Sequence, residues 1–391
     1  MTRSADEIIK EATTLASLDL AHVRAWKAGS STRRAIGCMP VFAPREVLWA
    51  AGALPVLLRG GGDQLETLRG DALYQSYICH IPRSTLELAW GGWLDVLDGM
   101  VFPNTCDVIR NLSGTWHGLF AGKPVRFLDP PHARDPESGV SYWRDELTRL
   151  YEGTCTLSGC DPSDAALWAA IDDYVLARRA VRALSEARVA EPWNVPADDA
   201  YLLRRAGDSL PPRDHAKLIE EYLAAVKLRR AHWEDRIRVV VVGAFCEHPP
   251  LGLLRAIERA GCYIIEDDLF LSSEDVVGEI AADRQGRRAL EAIARGYITQ
   301  GAKSSVRYDE AGSRGQELAA RVRELGADGV IFAAPSFCDP ALLDQPRLAR
   351  VLDDEGIPHA SFKYSENVGQ FQGFREQAGT FCDSVKLWGR A

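Results

Sequence analysis

No uninterrupted apolar run of about 18 residues occurs in the sequence, so a membrane-spanning helix is not expected. The opening MTRSADEIIKEATTLASLDL carries acidic side chains and no apolar stretch, and a signal peptide is not expected either. Positive charge is in deficit: 46 Lys and Arg stand against 55 Asp and Glu, and no Lys/Arg stripe is found. That removes the electrostatic footprint of a nucleic-acid binder. Nucleotide loops are missing too. GGG at 60–62 follows a strand-like run but has neither GxGxxG spacing nor a GK[ST] ending, and VVVGAF at 240–245 lacks the dinucleotide fingerprint. No ATP site is therefore expected on this chain. A compact CxxCxxC run is also lacking. Together these absences point to a cytoplasmic protein that binds neither membrane nor nucleic acid.

What is present is a folded chain too long for one core. Its 391 residues predict two or three domains, and 46% hydrophobic with 26% charged residues is the balance of an ordinary globular protein. Short apolar runs alternate with helical spacing. Leu54 to Leu58, Gly99 to Phe102, PVRFLD at 124–129, IRVVVVGAFC from 237, CYIIEDD and DGVIFAAP read as strands. Helices are expected over 5–29, Pro44 to Ala51, 84–97, 315–325 and 341–355. Residues 141–236, rich in Ala, Leu, Arg, Asp and Glu, have helical periodicity. The expected fold class is α/β, with two related doubly wound parallel-sheet domains and a helical domain between them. The expected boundaries are 1–140, 141–236 and 237–391.

The two α/β regions repeat one another. WLDVLDGMVFPNTCD aligns with VRELGADGVIFAAPSFCDP, matching Asp98-Gly99 to Asp328-Gly329 and Cys106-Asp107 to Cys338-Asp339. Upstream, GCMPVFAPREVLWAAGALPVLL aligns with GAFCEHPPLGLLRAIERAGCYII, pairing Gly52 with Gly261 and bringing Cys38 near Cys246. Downstream, GKPVRFLD aligns with GIPHASFK.

Of the nine cysteines, Cys106 and Cys338 thus follow equivalent strands by a few residues. Ligands of open parallel sheets bind beyond the carboxyl ends of strands, so two facing halves can bring both thiols into one cleft. Cys79, just before a helix, is the third candidate, since a helix N-terminus favours a thiolate or sulfide. The second half has SSVRYD there, with no cysteine. Three thiolates would leave one iron of a cubane open. Cys38 ranks as fourth ligand and Cys246 as fifth. Cys155, Cys160, Cys262 and Cys382 read as small buried hydrophobes, although CTLSGC at 155–160 could be a local metal pair. On pattern alone, a metal site and buried thiols both stay open. Glu266-Asp267-Asp268 follows a strand and could bind a metal or a ribose, with a solvated strand end as the more frequent reading. His80 and His248 could relay protons, and Trp90, Trp93 and Trp116 could wall a dry pocket, although structural roles are the default for all five.

PVFAPREVLWAAGALPVLL, YICHIPRS, FPNTCDVIRNL and SFCDP resemble the 2-hydroxyacyl-CoA dehydratase and benzoyl-CoA reductase subunit family, over nearly the whole chain. Within it the chain is most similar to the smaller, C-type or gamma, of the two non-ATPase subunits of the ATP-dependent reductase. The resemblance implies an iron–sulfur subunit with Cys79, Cys106 and Cys338 as ligands of a [4Fe–4S] cluster and Cys38 where the fourth ligand varies. A double-cubane cluster is the minority alternative. The implied partners are a related catalytic-module subunit, ATPase activator subunits bearing their own Fe–S cluster, and ferredoxin as electron donor. The implied reaction is dearomatisation of benzoyl-CoA to cyclohexa-1,5-diene-1-carbonyl-CoA, with no proton donor identified. Two other expectations stand beside it: a subunit of a 2-hydroxyacyl-CoA dehydratase, and a cluster-free binding or scaffold protein.

Overall fold

A computed structural model describes residues 3–131, 135–243, 249–269, 276, 278–280, 286–307, 313–364 and 371–388. The chain opens with α1 (Ala5–Leu15) and α2 (Ala21–Ala28), then runs β1 (Arg34–Cys38), α3 (Arg45–Ala50), β2 (Ala53–Leu57), α4 (Gly70–Leu73), α5 (His80–Trp90), β3 (Gly99–Pro103), α6 (Asp107–Leu119) and β4 (Val125–Leu128). Four helices follow: α7 (Pro136–Ser158), α8 (Asp164–Ala190), α9 (Ala197–Ala206) and α10 (Pro212–Val226). The second half runs β5 (Ile237–Gly243), α11 (Leu251–Arg259), β6 (Cys262–Asp267), α12 (Ala289–Thr299), α13 (Ser313–Glu324), β7 (Gly329–Pro335), α14 (Asp339–Asp354), β8 (His359–Tyr364) and α15 (Gln372–Trp388).

Two four-stranded sheets result, ordered β2-β1-β3-β4 and β6-β5-β7-β8, and every pairing in both is parallel. The α/β class with two related parallel sheets is therefore as expected. The helix expected over 84–97 lies earlier, because α5 starts at His80 and Gly91 caps its end. β1 is a strand that the sequence pattern does not announce. RAIGC is short and carries an arginine and a glycine, so its strand signal is weak, yet it pairs with both β2 and β3 at the centre of its sheet.

The repeat extends to individual hydrogen bonds. The Asp98 carboxylate accepts from the Ala35 N–H at 2.8 Å, while the Asp98 N–H donates to the Ala35 carbonyl at 2.7 Å. Asp328 does the same with Arg238, at 2.7 Å for both bonds. In each half an aspartate thus caps the start of the central strand and fixes the register of its neighbour. The next residue is glycine for a steric reason: a Cβ at Gly99 would lie 3.0 Å from the Pro124 carbonyl oxygen, and one at Gly329 would lie 2.7 Å from that of Pro358.

Helix α8 has 27 residues and is about 40 Å long at 1.5 Å per residue. Its Leu167 and Ile171 join the core of the first sheet, whereas its Val181 and Leu184 join that of the second. It is tied to α3 by a buried ion pair, Arg178 to Glu46 at 2.5 Å. Near its other end Arg188 meets the Asp267 carboxylate at 2.6 Å, where Arg204 of α9 also binds at 2.5 Å. One long helix therefore braces both sheets.

Candidate functional site

In a parallel sheet all strands end on one edge, and helices that follow begin there. Cys106 is the N-cap of α6, reached from β3 through Asn104 and Thr105. Cys338 is the N-cap of α14, reached from β7 through Ser336 and Phe337. The loops match: Asn104 donates its N–H to the Leu128 carbonyl and Ser336 donates its own to the Tyr364 carbonyl, both at 2.7 Å. Cys79 is the N-cap of α5. All three thiols line one cavity of about 460 Å³. Three helices of 11, 13 and 16 residues thus direct their N-termini at a common space. Each N-terminus carries unpaired N–H groups and roughly half a positive charge.

The electrostatics of the thiols follow from this arrangement. Burial pushes the Cys106 pKa up, the backbone N–H groups of Ile109 and Val108 oppose that, and the nearby Cys338 and Asp107 add to the rise. A cation or cluster shared by the two sulfurs offsets the penalty that Cys338 places on ionisation of Cys106. The rest of the wall mixes apolar side chains, Ile81, Ile109, Val306 and Leu343 among them, with Asp107, Asp339, Asp344 and Arg347. Phe337, at the cavity wall and adjoining Cys338, has φ 69°. For a residue with a Cβ that conformation costs about 1–2 kcal/mol, and backbone strain of this kind concentrates at functional sites.

Cys38 is placed differently. Side chains alternate across a strand, and Cys38 falls with Ile36 on the face of β1 packed against α3 and α7, while the three clustered thiols belong to the opposite face with Met39 and Phe102. Its sulfur is fully buried 3.6 Å from the Ile36 carbonyl, and burial drives its pKa strongly upward. It does not line the cavity. Cys246 and His248 lie outside the described residues. Among the described residues no three His, Cys, Asp or Glu side chains are close enough to hold one metal ion. The thiols instead surround a space large enough for a multi-atom group. The donor set fits an iron–sulfur cluster: thiolates are its usual ligands, and three helix N-termini favour its negative charge.

Several other candidates have structural roles. Trp116 stacks between Phe102 and Phe120, at 5.9 and 4.5 Å between ring centroids, within the core. Trp90 packs near Phe120 at 6.0 Å, Trp93 is 39% exposed, and none of the three lines the cavity. His80 is buried in the first turn of α5 and is likewise not part of the wall. Glu266, Asp267 and Asp268 are not a solvated strand end. Glu266 pairs with Arg321, Asp267 with Arg188 and Arg204, and Asp268 with Arg314. Sequence reasoning does not single out Ser305, Val306 or Phe337 as wall residues. The first two lie in SSVRYD, the cysteine-free counterpart of the Cys79 segment, and that correspondence is the signal that points to them.

Residues 40–385 match the family described as 2-hydroxyglutaryl-CoA dehydratase, D-component, and the chain belongs to that family. It is 45% identical over 386 residues to the C subunit of benzoyl-CoA reductase from Thauera aromatica, covering 98% of this chain and 99% of the relative. It is 27% identical to the beta subunit of (R)-2-hydroxyglutaryl-CoA dehydratase of Acidaminococcus fermentans, covering 90% and 93%, and 25% identical to the beta subunit of lactoyl-CoA dehydratase of Anaerotignum propionicum, covering 90% and 91%. These relatives are subunits of multi-subunit enzymes.

Proposed function

We propose that this chain is the iron–sulfur subunit of an ATP-dependent, ferredoxin-linked benzoyl-CoA reductase, and that Cys79, Cys106 and Cys338 hold a [4Fe–4S] cluster. The observation that carries the cluster assignment is the meeting of three helix-capping cysteines at one cavity. Identity of 45% to the C subunit of a benzoyl-CoA reductase, against 27% and 25% to the two dehydratase beta subunits, supports the reductase over the dehydratase. When bound, such a cluster supplies a one-electron donor of low potential. The protein's part is to hold it and shape its surroundings. The cysteines act as thiolates, and the N–H groups of Val108 and Ile109 face the Cys106 sulfur. Three thiolates would leave one iron of a cubane for a further ligand, for which Cys246, outside the described residues, is a candidate. In this reading a related sister subunit shares the catalytic module, and separate ATPase activator subunits pass on electrons from ferredoxin.

The test is an anaerobic iron and acid-labile sulfide determination on the purified chain with its sister subunit. Cys79→Ala, Cys106→Ala and Cys338→Ala should each lose most of the iron while keeping the native circular dichroism, and Cys38→Ala should keep it. Wild-type protein without iron or sulfide would sink the cluster assignment. Incubation of the whole complex with ATP, reductant and benzoyl-CoA should yield the cyclic diene thioester. Dehydration of a 2-hydroxyacyl-CoA in place of that product would favour the dehydratase.

A further inference from the structure

Two thiols outside the candidate site meet in the core of the second half. Cys262 opens β6 and Cys382 lies in α15, 120 residues later, and their sulfur atoms are 3.0 Å apart. Cys262 is fully buried and Cys382 is 3% exposed. At that separation the S–H of one thiol points at the sulfur of the other, which is more than two small hydrophobes packing side by side. Gly261, just before Cys262, has φ 106°, a backbone conformation that glycine adopts without strain and that leads the chain into β6 beside Cys382.

We propose that Cys262 and Cys382 form a reversible dithiol–disulfide pair, closed by exchange with a low-molecular-weight disulfide such as oxidised glutathione. Cys382 is the attacking thiol. The Cys262 S–H donates to its sulfur and Lys386, one turn further along α15, favours its thiolate, while Asp383 and burial oppose this. The Cys262 thiol is held protonated by the same contact and by burial. The Cys382 thiolate displaces one glutathione as a thiol and becomes a mixed disulfide. Cys262 then loses its proton, attacks the Cys382 sulfur and displaces the second glutathione. The protein loses two electrons and two protons, and one oxidised glutathione becomes two reduced ones. Access comes from local opening of α15, a surface helix with residues such as Thr380, Asp383 and Lys386 exposed on its outer side. The bridge would clamp α15 to the beginning of β6. That is the edge of the sheet opposite the strand ends, so the three cavity thiols stay apart from it.

The full-length chain is equilibrated anaerobically in glutathione buffers of rising oxidised fraction, quenched in acid, alkylated under denaturing conditions and mapped by mass spectrometry. The expected result is a linked peptide pair joining Cys262 to Cys382, lighter by two hydrogens than the sum of its parts and lost on adding dithiothreitol. In Cys262→Ala the expected product is one glutathione retained on Cys382. The proposal is overturned if both residues of the native chain remain fully alkylated where its other thiols have become glutathionylated. It is equally overturned if Cys382 carries glutathione in the native chain with no internal bridge. The native-chain map decides the matter even if the variant fails to fold.

Discussion

Asp98 and Asp328 show how a single side chain sets local structure in this protein. Each caps the N–H of a central strand residue, and Asp98 also meets Lys27 at 2.8 Å. Removing such a carboxylate leaves a strand-edge donor without its partner, a loss of about 1–3 kcal/mol. Asp98→Ala and Asp328→Ala are therefore each expected to lower the urea midpoint, with the slope of the transition unchanged, in equilibrium unfolding followed by circular dichroism. A neutral result for both would mean that these bonds exchange with water at no cost. The contrast between Cys38 and Cys106 belongs to the same scale. Both are cysteines near the end of a strand in the first half, but Cys38 is still within β1 and points into the core, while Cys106 has left β3 and caps a helix. Position within the strand or beyond its end separates a packing thiol from a thiol on the cavity.

At the scale of elements, α3 and α8 are held together by the Glu46–Arg178 pair, whose side chains are 0% and 4% exposed. Tyr297 of α12 joins them, its hydroxyl 3.5 Å from the Glu46 carboxylate and 3.0 Å from the Ala43 carbonyl. Breaking a buried pair by deleting one partner strands the other charge and costs about 3–5 kcal/mol. Glu46→Ala is expected to lose stability on that order. The double replacement Glu46→Met with Arg178→Met should recover part of it, because neither member of the pair is then left buried without the other. Thermal unfolding of the three proteins checks this, and equal losses in the single and double variants would show that the pair is not the cause. Helices α9 and α10 meet in a tighter contact. The His215 ring packs against Gly207, where a Cβ would collide with it. Gly207→Ala should therefore destabilise the protein although its φ of −70° suits alanine.

For the whole molecule, the clearest pH signature comes from His215. It is buried, bonded at 3.0 Å to the Leu203 carbonyl, and burial pushes its pKa down to about 4. In the unfolded chain a histidine titrates near 6.5. Below that pH the unfolded state binds the extra proton first, so His215 contributes stability that is complete above about 6.5 and lost as pH falls toward about 4, up to roughly 3 kcal/mol. His215→Gln should flatten the dependence of unfolding free energy on pH in that window, relative to the native chain. An unchanged slope would assign the effect to other groups.

Parallel strands, their order of appearance and the internal repeat were legible in the sequence, because apolar runs such as VVVV and GVIFAA, glycine at helix ends and the Asp-Gly pairs are local signals with local causes. Cys106 and Cys338 were also legible, since a repeat assigns equivalent positions without coordinates. What only the tertiary structure decided depends on which face of an element meets which neighbour. The central strand β1 carries a weak local signal and owes its place to pairing on both edges. Cys38 looks like a companion of the other thiols in the linear order, but the pleat turns it into the opposite core. Cys262 and Cys382 read as unrelated core residues 120 positions apart until α15 folds back onto β6 and brings their sulfurs to 3.0 Å. Local chemistry along the chain selects the elements, whereas the partners of each side chain are set by packing between residues far apart in sequence.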